Sequence, residues 1–581
     1  MKSIINQLHD KFQQAILIAF PELKDEPLPV EVTQSTQEKF GHYQCNTAMK
    51  LAKPLKLNPR QVAEKIVASL EKDHLIGQVD IAGPGFINVF ITPDYLNNAV
   101  NSIVADPHLG IDKPAHPQKI IVEFSSPNTA KELHVGHLRS TIIGDSLARL
   151  FEFLGHNVLR LNHVGDWGTQ FGMLIAYIKE EAPQVFTGEQ VTDLTHLVTW
   201  YKASKARFDS DEDFKQRARL EVVNLQGGDA DSLHAWTIIC DISRKAYQEI
   251  YDLLDVILVE RGESFYNPLL PGIVSDLESK GLIEVSGGAK CLFVDGYLNR
   301  EGEPLPLMIQ KSDGGYNYDT TDMAAVRHRS EVELADRIIC ITDLGQATHF
   351  AMIFKAAEKA GYVQPGKPQL DHVTFGLVLG LDGKKFKTRS GDTEKLIDLL
   401  TAAVDKAEEI LKERNSAMDP EERHALAKAL GIGAIKYADL STHRQGDYTF
   451  SYEKMLRFDG NTAAFLMYAY VRIVSIKRKC GIDTEDLIGK AQIKLEHPSE
   501  IALGLHVLQF QETLDWVAKD LLPNRLTDYL FGLAEKFNAF FRDCRVEGSP
   551  EEHSRLLLCE VVSQTLKQGL NLLGIHTVER M

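Results

Sequence analysis

Two histidines three residues apart, His134 and His137, flank Gly136 where an apolar run, Ile120 to Phe124, hands over to a long amphipathic stretch. Such a junction suits phosphate chemistry. The N-terminus of a helix offers unpaired N–H groups and the positive end of a dipole, and imidazole donors beside it stabilise charge that develops on a phosphate. Gly136 lets a nucleotide approach the backbone, because it has no Cβ to intrude. Standing alone, a His-x-x-His pair reads first as a structural feature. Zinc is disfavoured, since the i, i+4 spacing and glutamate of HExxH are absent.

A second candidate lies far downstream, in Gly380-Leu381-Asp382-Gly383-Lys384-Lys385-Phe386-Lys387-Thr388-Arg389-Ser390-Gly391. Glycines at both ends let this loop close, and its cations meet phosphate charge only when it does. In isolation it reads as a solvated turn; its place after the strand signal Val373 to Leu379 favours the phosphate reading.

These residues need a scaffold. Ile120 to Phe124 reads as a strand, Leu138, Ile142, Leu147, Leu150, Phe151 and Leu154 as the apolar face of a helix ended by Gly155, and Val158 to Val164 as the next strand. Strand, helix, strand is a βαβ unit and implies a parallel sheet. Sheet signals return at Arg337 to Thr342 and Val373 to Leu379, so residues about 172–300, rich in Lys, Asp and Glu, are expected to be a mostly helical insertion. Residues 1–112 alternate helical patterns with a strand signal, Phe86 to Ile91, and prolines 107, 114 and 117 punctuate a linker. From 394 the pattern is helical to the end.

A chain of 581 residues suits about four domains at roughly 150 residues each. The net charge of −17 argues against sequence-independent scavenging of nucleic acid, but leaves RNA binding through local basic patches. Seven scattered cysteines without a CxxC pair fit reduced thiols. The apolar run Ala15 to Phe20 is too short to span a bilayer, so a cytoplasmic protein without membrane contact is expected.

His134-Val135-Gly136-His137 resembles the HIGH motif of class I aminoacyl-tRNA synthetases, and the wider strings Glu123-Phe124-Ser125-Ser126-Pro127-Asn128 and Asn162-His163-Val164-Gly165-Asp166-Trp167-Gly168-Thr169-Gln170-Phe171-Gly172 resemble the arginyl-tRNA synthetases in particular. The resemblance covers nearly the whole chain; the insertion around 180–240 adds little. It implies an α/β, Rossmann-like class I catalytic domain with a parallel sheet (118–393), an α+β N-terminal domain (1–112), a helical connector (394–455) and an all-α anticodon-binding domain (456–581). It implies ATP-dependent activation of L-arginine to arginyl-adenylate and transfer to the 2′-hydroxyl of the terminal adenosine of tRNA(Arg), by a monomer, with Mg²⁺ arriving on ATP and no dedicated metal site. Activation is expected to need bound tRNA.

Residue by residue, the resemblance gives His134, His137, Lys131, Lys385 and Lys387 catalytic roles, and places ATP on His134, Gly136, His137, Lys385 and Thr388. The loop departs from KMSKS at Thr388, where the second lysine belongs, and Lys131 is expected to supply that charge. A planar, permanently charged guanidinium needs forked acceptors. Glu123, Tyr318 and Asp322 are expected to line its pocket, Tyr318 and Asp322 sharing a helical face at i, i+4, while Ser126, Asn128, His137 and Gln346 hold the rest of the amino acid. For tRNA the matching positions are Phe86 and Asn88 in the first domain, and Phe465, Tyr468, Arg472, Phe541 and the terminal Met581 in the last. Two rivals stand beside this reading: a nucleotidyltransferase that makes a small adenylate without RNA, and a non-catalytic tRNA-binding paralogue.

Overall fold

The computed structural model describes residues 2–386 and 394–581. The first unit comprises α1 (Ile4–Ala19), β1 (Val32–Gln34), β2 (Tyr43–Cys45), α2 (Thr47–Leu55), α3 (Pro59–Ser69), β3 (Ile76–Ala82), β4 (Phe86–Ile91) and α4 (Pro93–Ile103). Ser3 caps α1, and its buried Ile4, Leu8, Phe12, Ala15 and Ile16 recur at helical spacing. The strands form an antiparallel sheet ordered β1-β2-β4-β3, in which Ile87, Val89 and Ile91 face the core.

The βαβ unit is β5 (Lys119–Glu123), α5 (Val135–Phe153) and β6 (Asn157–Asn162). Helices α6 (Thr169–Glu181), α7 (Gln184–Thr187), α8 (Leu194–Ser210), α9 (Glu212–Gln226) and α10 (Ala230–Leu253) follow, then β7 (Val259–Glu260), α11 (Leu270–Ser279), β8 (Glu284–Ser286), β9 (Ala289–Leu298), β10 (Pro304–Gln310), α12 (Tyr318–Arg327), β11 (Arg337–Asp343), α13 (Ala347–Lys359), β12 (Gln369–Phe375) and β13 (Val378–Leu379). Five strands make an all-parallel sheet ordered β12-β11-β5-β6-β7. Ile120, Ile121 and Val122, like Ile338 to Ile341, are buried, as strands covered on both faces must be. The chain leaves β5 toward β6 on one side and returns as β11 on the other, so the topological switch lies at the C-terminal ends of β5 and β11.

The insertion is less helical than the sequence pattern suggests. It carries helices to Leu253 and over 270–279, but β8, β9 and β10 form an antiparallel sheet ordered β10-β9-β8 that runs on to Gln310. Its hairpin turns on Gly287 and Gly288, both with positive φ, which is the backbone that a two-residue turn between twisted strands demands.

The remainder comprises α14 (Leu396–Arg414), α15 (Pro420–Leu440), β14 (Tyr448–Thr449), α16 (Tyr452–Met455), α17 (Ala463–Cys480), α18 (Thr484–Leu487), α19 (Pro498–Leu508), α20 (Phe510–Asp520), α21 (Asn524–Asp543) and α22 (Glu552–Leu572). The two-residue β14 pairs in parallel with β13 and is the one strand here among the described residues. No helix among the described residues is long and apolar enough to cross a membrane.

The first and last units are joined by polar contacts. Buried Glu512 of α20 accepts from the Ile5 N–H (2.9 Å), the Gln34 amide (2.7 Å) and the Tyr43 hydroxyl (2.8 Å). Asn101 of α4 exchanges two hydrogen bonds of 2.8 Å with the backbone of Ile493. Stranding a buried donor costs about 1–3 kcal/mol. Glu512→Ala is therefore expected to loosen the docked N-terminal unit, so that limited proteolysis near prolines 107, 114 and 117 accelerates by roughly tenfold or more, and unchanged cleavage would show that this carboxylate does not hold the units together.

Candidate functional site

The histidines sit where the sheet reverses its winding. His134 is the N-cap of α5: its Nδ1 accepts from the Gly136 N–H at 3.0 Å, and His137 Nδ1 accepts from the His134 N–H at 3.1 Å. The pair is a capping box made of imidazoles, with ring centres 4.1 Å apart. An Nδ1 that accepts is unprotonated, so each neutral ring carries its proton on Nε2. Burial, with Lys385 nearby, lowers the His134 pKa. Burial, with His134 and Lys131 nearby, pulls His137 down to about 3. At neutral pH both rings are uncharged Nε2–H donors. A Cβ on Gly136 would lie 2.8 Å from the His134 ring, so this glycine makes room for the histidine itself.

The loop from β5 into α5 holds three left-handed non-glycine residues, Ser125, Ser126 and Ala130, with φ of 67°, 47° and 60°. Such strain persists only where the surroundings over-determine it. Here they do: the Ser126 N–H donates to Asn162 (2.9 Å), the Ala130 N–H to Ser243 (3.0 Å), and the Tyr247 hydroxyl to the carbonyls of Asn128 (2.8 Å) and Lys131 (2.7 Å). Helix α10 thus shapes the loop, a role that its sequence did not advertise. Asn128 is left exposed, and the Lys131 ammonium lies 5.7 Å from the Tyr201 ring centre. Lys385 is described, bridging back to Leu379; Lys387 and Thr388 lie outside the described residues.

The carboxylates gather on the other side of the switch. Asp322 on α12 accepts from His349 Nε2 at 2.6 Å and lies 3.9 Å from His163 Nε2. Asp319 holds the other His349 nitrogen at 3.3 Å and accepts from the Met308 N–H. Burial opposes the charged imidazole, but the two aspartates outweigh it and raise His349 to about 9. Glu263 joins the group. Burial, Asp322 and Asp166 raise its carboxyl to about 8, which favours the protonated form at neutral pH. Tyr318 is exposed, its ring 5.1 Å from that of His349, and Gln346 is exposed just beyond β11.

Glu123 departs from expectation. It is buried at the end of β5 and its Oε2 lies 2.5 Å from Nη1 of Arg329, which is itself buried just after α12. Its charge is matched within the chain, and that pair ties β5 to the turn that follows the helix bearing Tyr318 and Asp322, while His163 Nε2 lies 3.9 Å from Asp322. Arg329, Glu263, His163 and His349 were not singled out from sequence. A histidine immediately after β6 and another three residues beyond Gln346 are the signals that mark two of them, since both follow strand ends of a parallel sheet.

The expected tRNA positions separate. Tyr468 and Phe541 are exposed, and the Arg472 guanidinium lies 4.9 Å and 5.1 Å from their ring centres while donating to Asn538. Arg472 and Phe541 line a cleft of about 340 Å³ that also holds Lys479, Arg542 and Arg545. Phe465 instead packs on Phe531, and Met581 against the core. In the first unit Phe86 is half-buried, and Asn88 is buried and accepts from Gln44 at 2.8 Å, so Asn88 is not presented to a partner.

Parallel strands split by an insertion, a histidine-capped helix at the switch point and a lysine loop beyond it define an adenylate-forming catalytic domain of the class I synthetase type. The description "tRNA synthetases class I (R), catalytic domain" matches residues 99–452, "DALR anticodon binding domain" 466–581 and "Arginyl tRNA synthetase N terminal domain" 6–91. The arginine–tRNA ligase of Protochlamydia amoebophila is 64% identical over 585 residues, with 100% of each chain covered. Among solved structures, arginyl-tRNA synthetase from Plasmodium falciparum is 35% identical with a TM-score of 0.88, covering 100% of both chains. That of Thermus thermophilus, 23% identical with a TM-score of 0.80 over 99% of this chain and 100% of that one, shares the fold. The chain belongs to the arginyl-tRNA synthetases, class I enzymes that use ATP to join arginine to tRNA.

Because the His349 pKa is raised, its contacts with Asp319 and Asp322 contribute stability in full below about 6.5 and lose it as pH climbs through about 9. NMR titration of the ring should show a midpoint near 9, and Asp322→Asn should lower it by about a unit or more. A midpoint that ignores the substitution would remove Asp322 from control of this histidine.

Proposed function

We propose that Asp322 is the guanidinium partner, in an acidic slot completed by Glu263 and Tyr318 and floored by the Glu123–Arg329 pair. The observation that carries this is the grouping of Asp322 with Glu263, Asp319 and His349 at the mouth of the sheet whose switch point also holds the neutral histidine pair. Ser126, Asn128, His137 and Gln346 meet the amino acid's α-amino and carboxylate ends. The arginine carboxylate oxygen then attacks the α-phosphorus of ATP, the bond to the β-phosphate breaks, and pyrophosphate leaves. His134 and His137 donate Nε2–H groups to the phosphates; Lys131, Lys385 and Lys387 supply positive charge, with Gly136 and Thr388 beside the nucleotide. Neither step uses a protein nucleophile, so catalysis is alignment and charge stabilisation. Mg²⁺ comes with ATP.

The tRNA's terminal 2′-hydroxyl takes the arginyl group and AMP leaves. The Tyr468–Arg472–Phe541 stack and its basic cleft receive unpaired anticodon bases of tRNA(Arg), while the N-terminal unit, Phe86 included, meets the body of the tRNA. The working domains are 1–112, 118–393, 394–455 and 456–581. The enzyme acts as a cytoplasmic monomer.

Aminoacylation with arginine, lysine and citrulline and total tRNA tests the substrate: arginine alone should be charged, and charging of citrulline at a comparable rate would overturn the slot. Leaving a buried charge without its partner costs roughly 3–5 kcal/mol, so Asp322→Asn should lower kcat/KM for arginine by about a hundredfold or more; a change under about fivefold would place the pocket elsewhere. Arginine binding near pH 7.5 should also release protons, as the incoming cation ionises Glu263 and competes with charged His349. Calorimetry in buffers of different ionisation enthalpy reads this directly, and proton uptake would contradict it.

A further inference from the structure

The histidine helix and the lysine loop belong to distant parts of the chain, yet adenylate formation requires them on one phosphate chain. Arg139, two residues beyond His137, is wholly buried. Its Nε lies 3.1 Å from Oδ2 of Asp439, equally buried near the end of α15, and its Nη1 donates to the Gly446 carbonyl at 3.0 Å. The guanidinium also lies 5.2 Å from the Tyr448 ring centre and 5.8 Å from that of Phe375.

The segment that Arg139 pins is the one on which the lysine loop hangs. The Gly376 N–H donates to the Arg444 carbonyl (2.8 Å), Leu377 N–H to the Asp447 carboxylate (2.6 Å), Tyr448 N–H to Leu377 (3.2 Å) and Phe450 N–H to Leu379 (2.8 Å). Beyond this seam the Phe386 ring packs 5.1 Å from Phe450, and Lys385 lies close enough to His134 to lower its pKa. Residues 444–450 are thus held by Arg139 from one side and carry the root of the loop on the other.

We propose that the Arg139–Asp439 pair is a positioning device that sets the spacing between His134 and His137 and the lysine loop, and so serves adenylate formation specifically. This rests on the reading of those histidines and Lys385 as the phosphate-handling groups. Energetics support a positional role over a stabilising one. A buried ion pair replaced by apolar groups of similar volume often costs nothing or stabilises, whereas a displacement of about 1 Å at reacting atoms can cost roughly a hundredfold in rate.

The test uses the full-length enzyme with Arg139→Met and Asp439→Leu together, leaving no stranded charge. ATP–pyrophosphate exchange with tRNA present reads the first step, and transfer from preformed arginyl-adenylate reads the second. The expected result is a melting temperature within a few degrees of the unmodified protein, an arginine KM within about twofold, exchange reduced roughly tenfold or more, and transfer within about threefold. Gly376→Ala, whose Cβ would lie 2.6 Å from the Gly446 carbonyl oxygen, opens the same seam with the ion pair intact and should give the same selective loss. If the double variant fails to fold, Gly376→Ala decides on these criteria. Unchanged exchange, or equal loss in both steps, overturns the proposal. An unmodified protein without arginine-dependent exchange overturns the underlying reading of the site, and the proposal with it.

Discussion

A single buried helix must present its N-terminus to a polyanion while carrying charge through the middle of the protein. Helix α5 is buried on nearly every side, which ordinarily calls for an apolar sequence. Instead it holds Arg139, Ser140, Asp145 and Arg149, and each is matched by a different neighbour. Arg139 meets Asp439, and Ser140 accepts from the Ser125 N–H and donates to the Ile341 carbonyl. Asp145 is bracketed by Arg149 at 2.8 Å and Arg160 at 2.6 Å. Because an unpartnered charge in such a place is strongly destabilising, the units around α5 have little freedom to shift independently.

The far end of α5 extends that constraint. Arg149 donates to the Asp255 carbonyl and to Asn571 of α22, and Asp255 is in turn 2.9 Å from His576 in the tail. Lys436, wholly buried, donates to the carbonyls of Leu254 and Gly574, and burial lowers its pKa to about 8. The end of the inserted helices, the connector and the C-terminal tail therefore converge on the helix whose other end carries the histidine pair. Helix α17, which bears Arg472, meets the same tail, since the Tyr470 hydroxyl donates to Glu579 at 3.3 Å.

The site solves two opposite electrostatic problems within one cleft. A chain of net charge −17 must accommodate triphosphate and still discriminate a cationic side chain. In the proposed site the two jobs fall on either side of the sheet switch. Neutral imidazoles and a helix N-terminus face one side, with Lys131 and Lys385 close enough to lower the imidazole pKa values. Carboxylates crowd the other, where burial together with Asp322 and Asp166 raises the Glu263 pKa to about 8, and Asp319 and Asp322 raise that of His349 to about 9. A guanidinium bound there would relieve that crowding, which is the physical basis of the selectivity proposed above.

Local pattern was enough for the chemistry that sits within short stretches of chain. The β5–α5–β6 unit, the histidine cap and the i, i+4 placement of Tyr318 and Asp322 all follow from periodicity and residue type over a few turns, because their geometry is set by neighbours in sequence. The antiparallel sheet of β8–β10 escaped although β9 runs ten residues, because the cue to its hairpin was a lone Gly-Gly step. What only the tertiary structure decided is partnership between distant residues: Glu123 meets Arg329, Arg139 meets Asp439, Glu512 gathers three donors from the N-terminal unit, and Phe465 turns inward while Tyr468 stays exposed. A residue type announces which interactions it needs; which group satisfies them depends on long-range packing, and no periodicity along the chain encodes that choice.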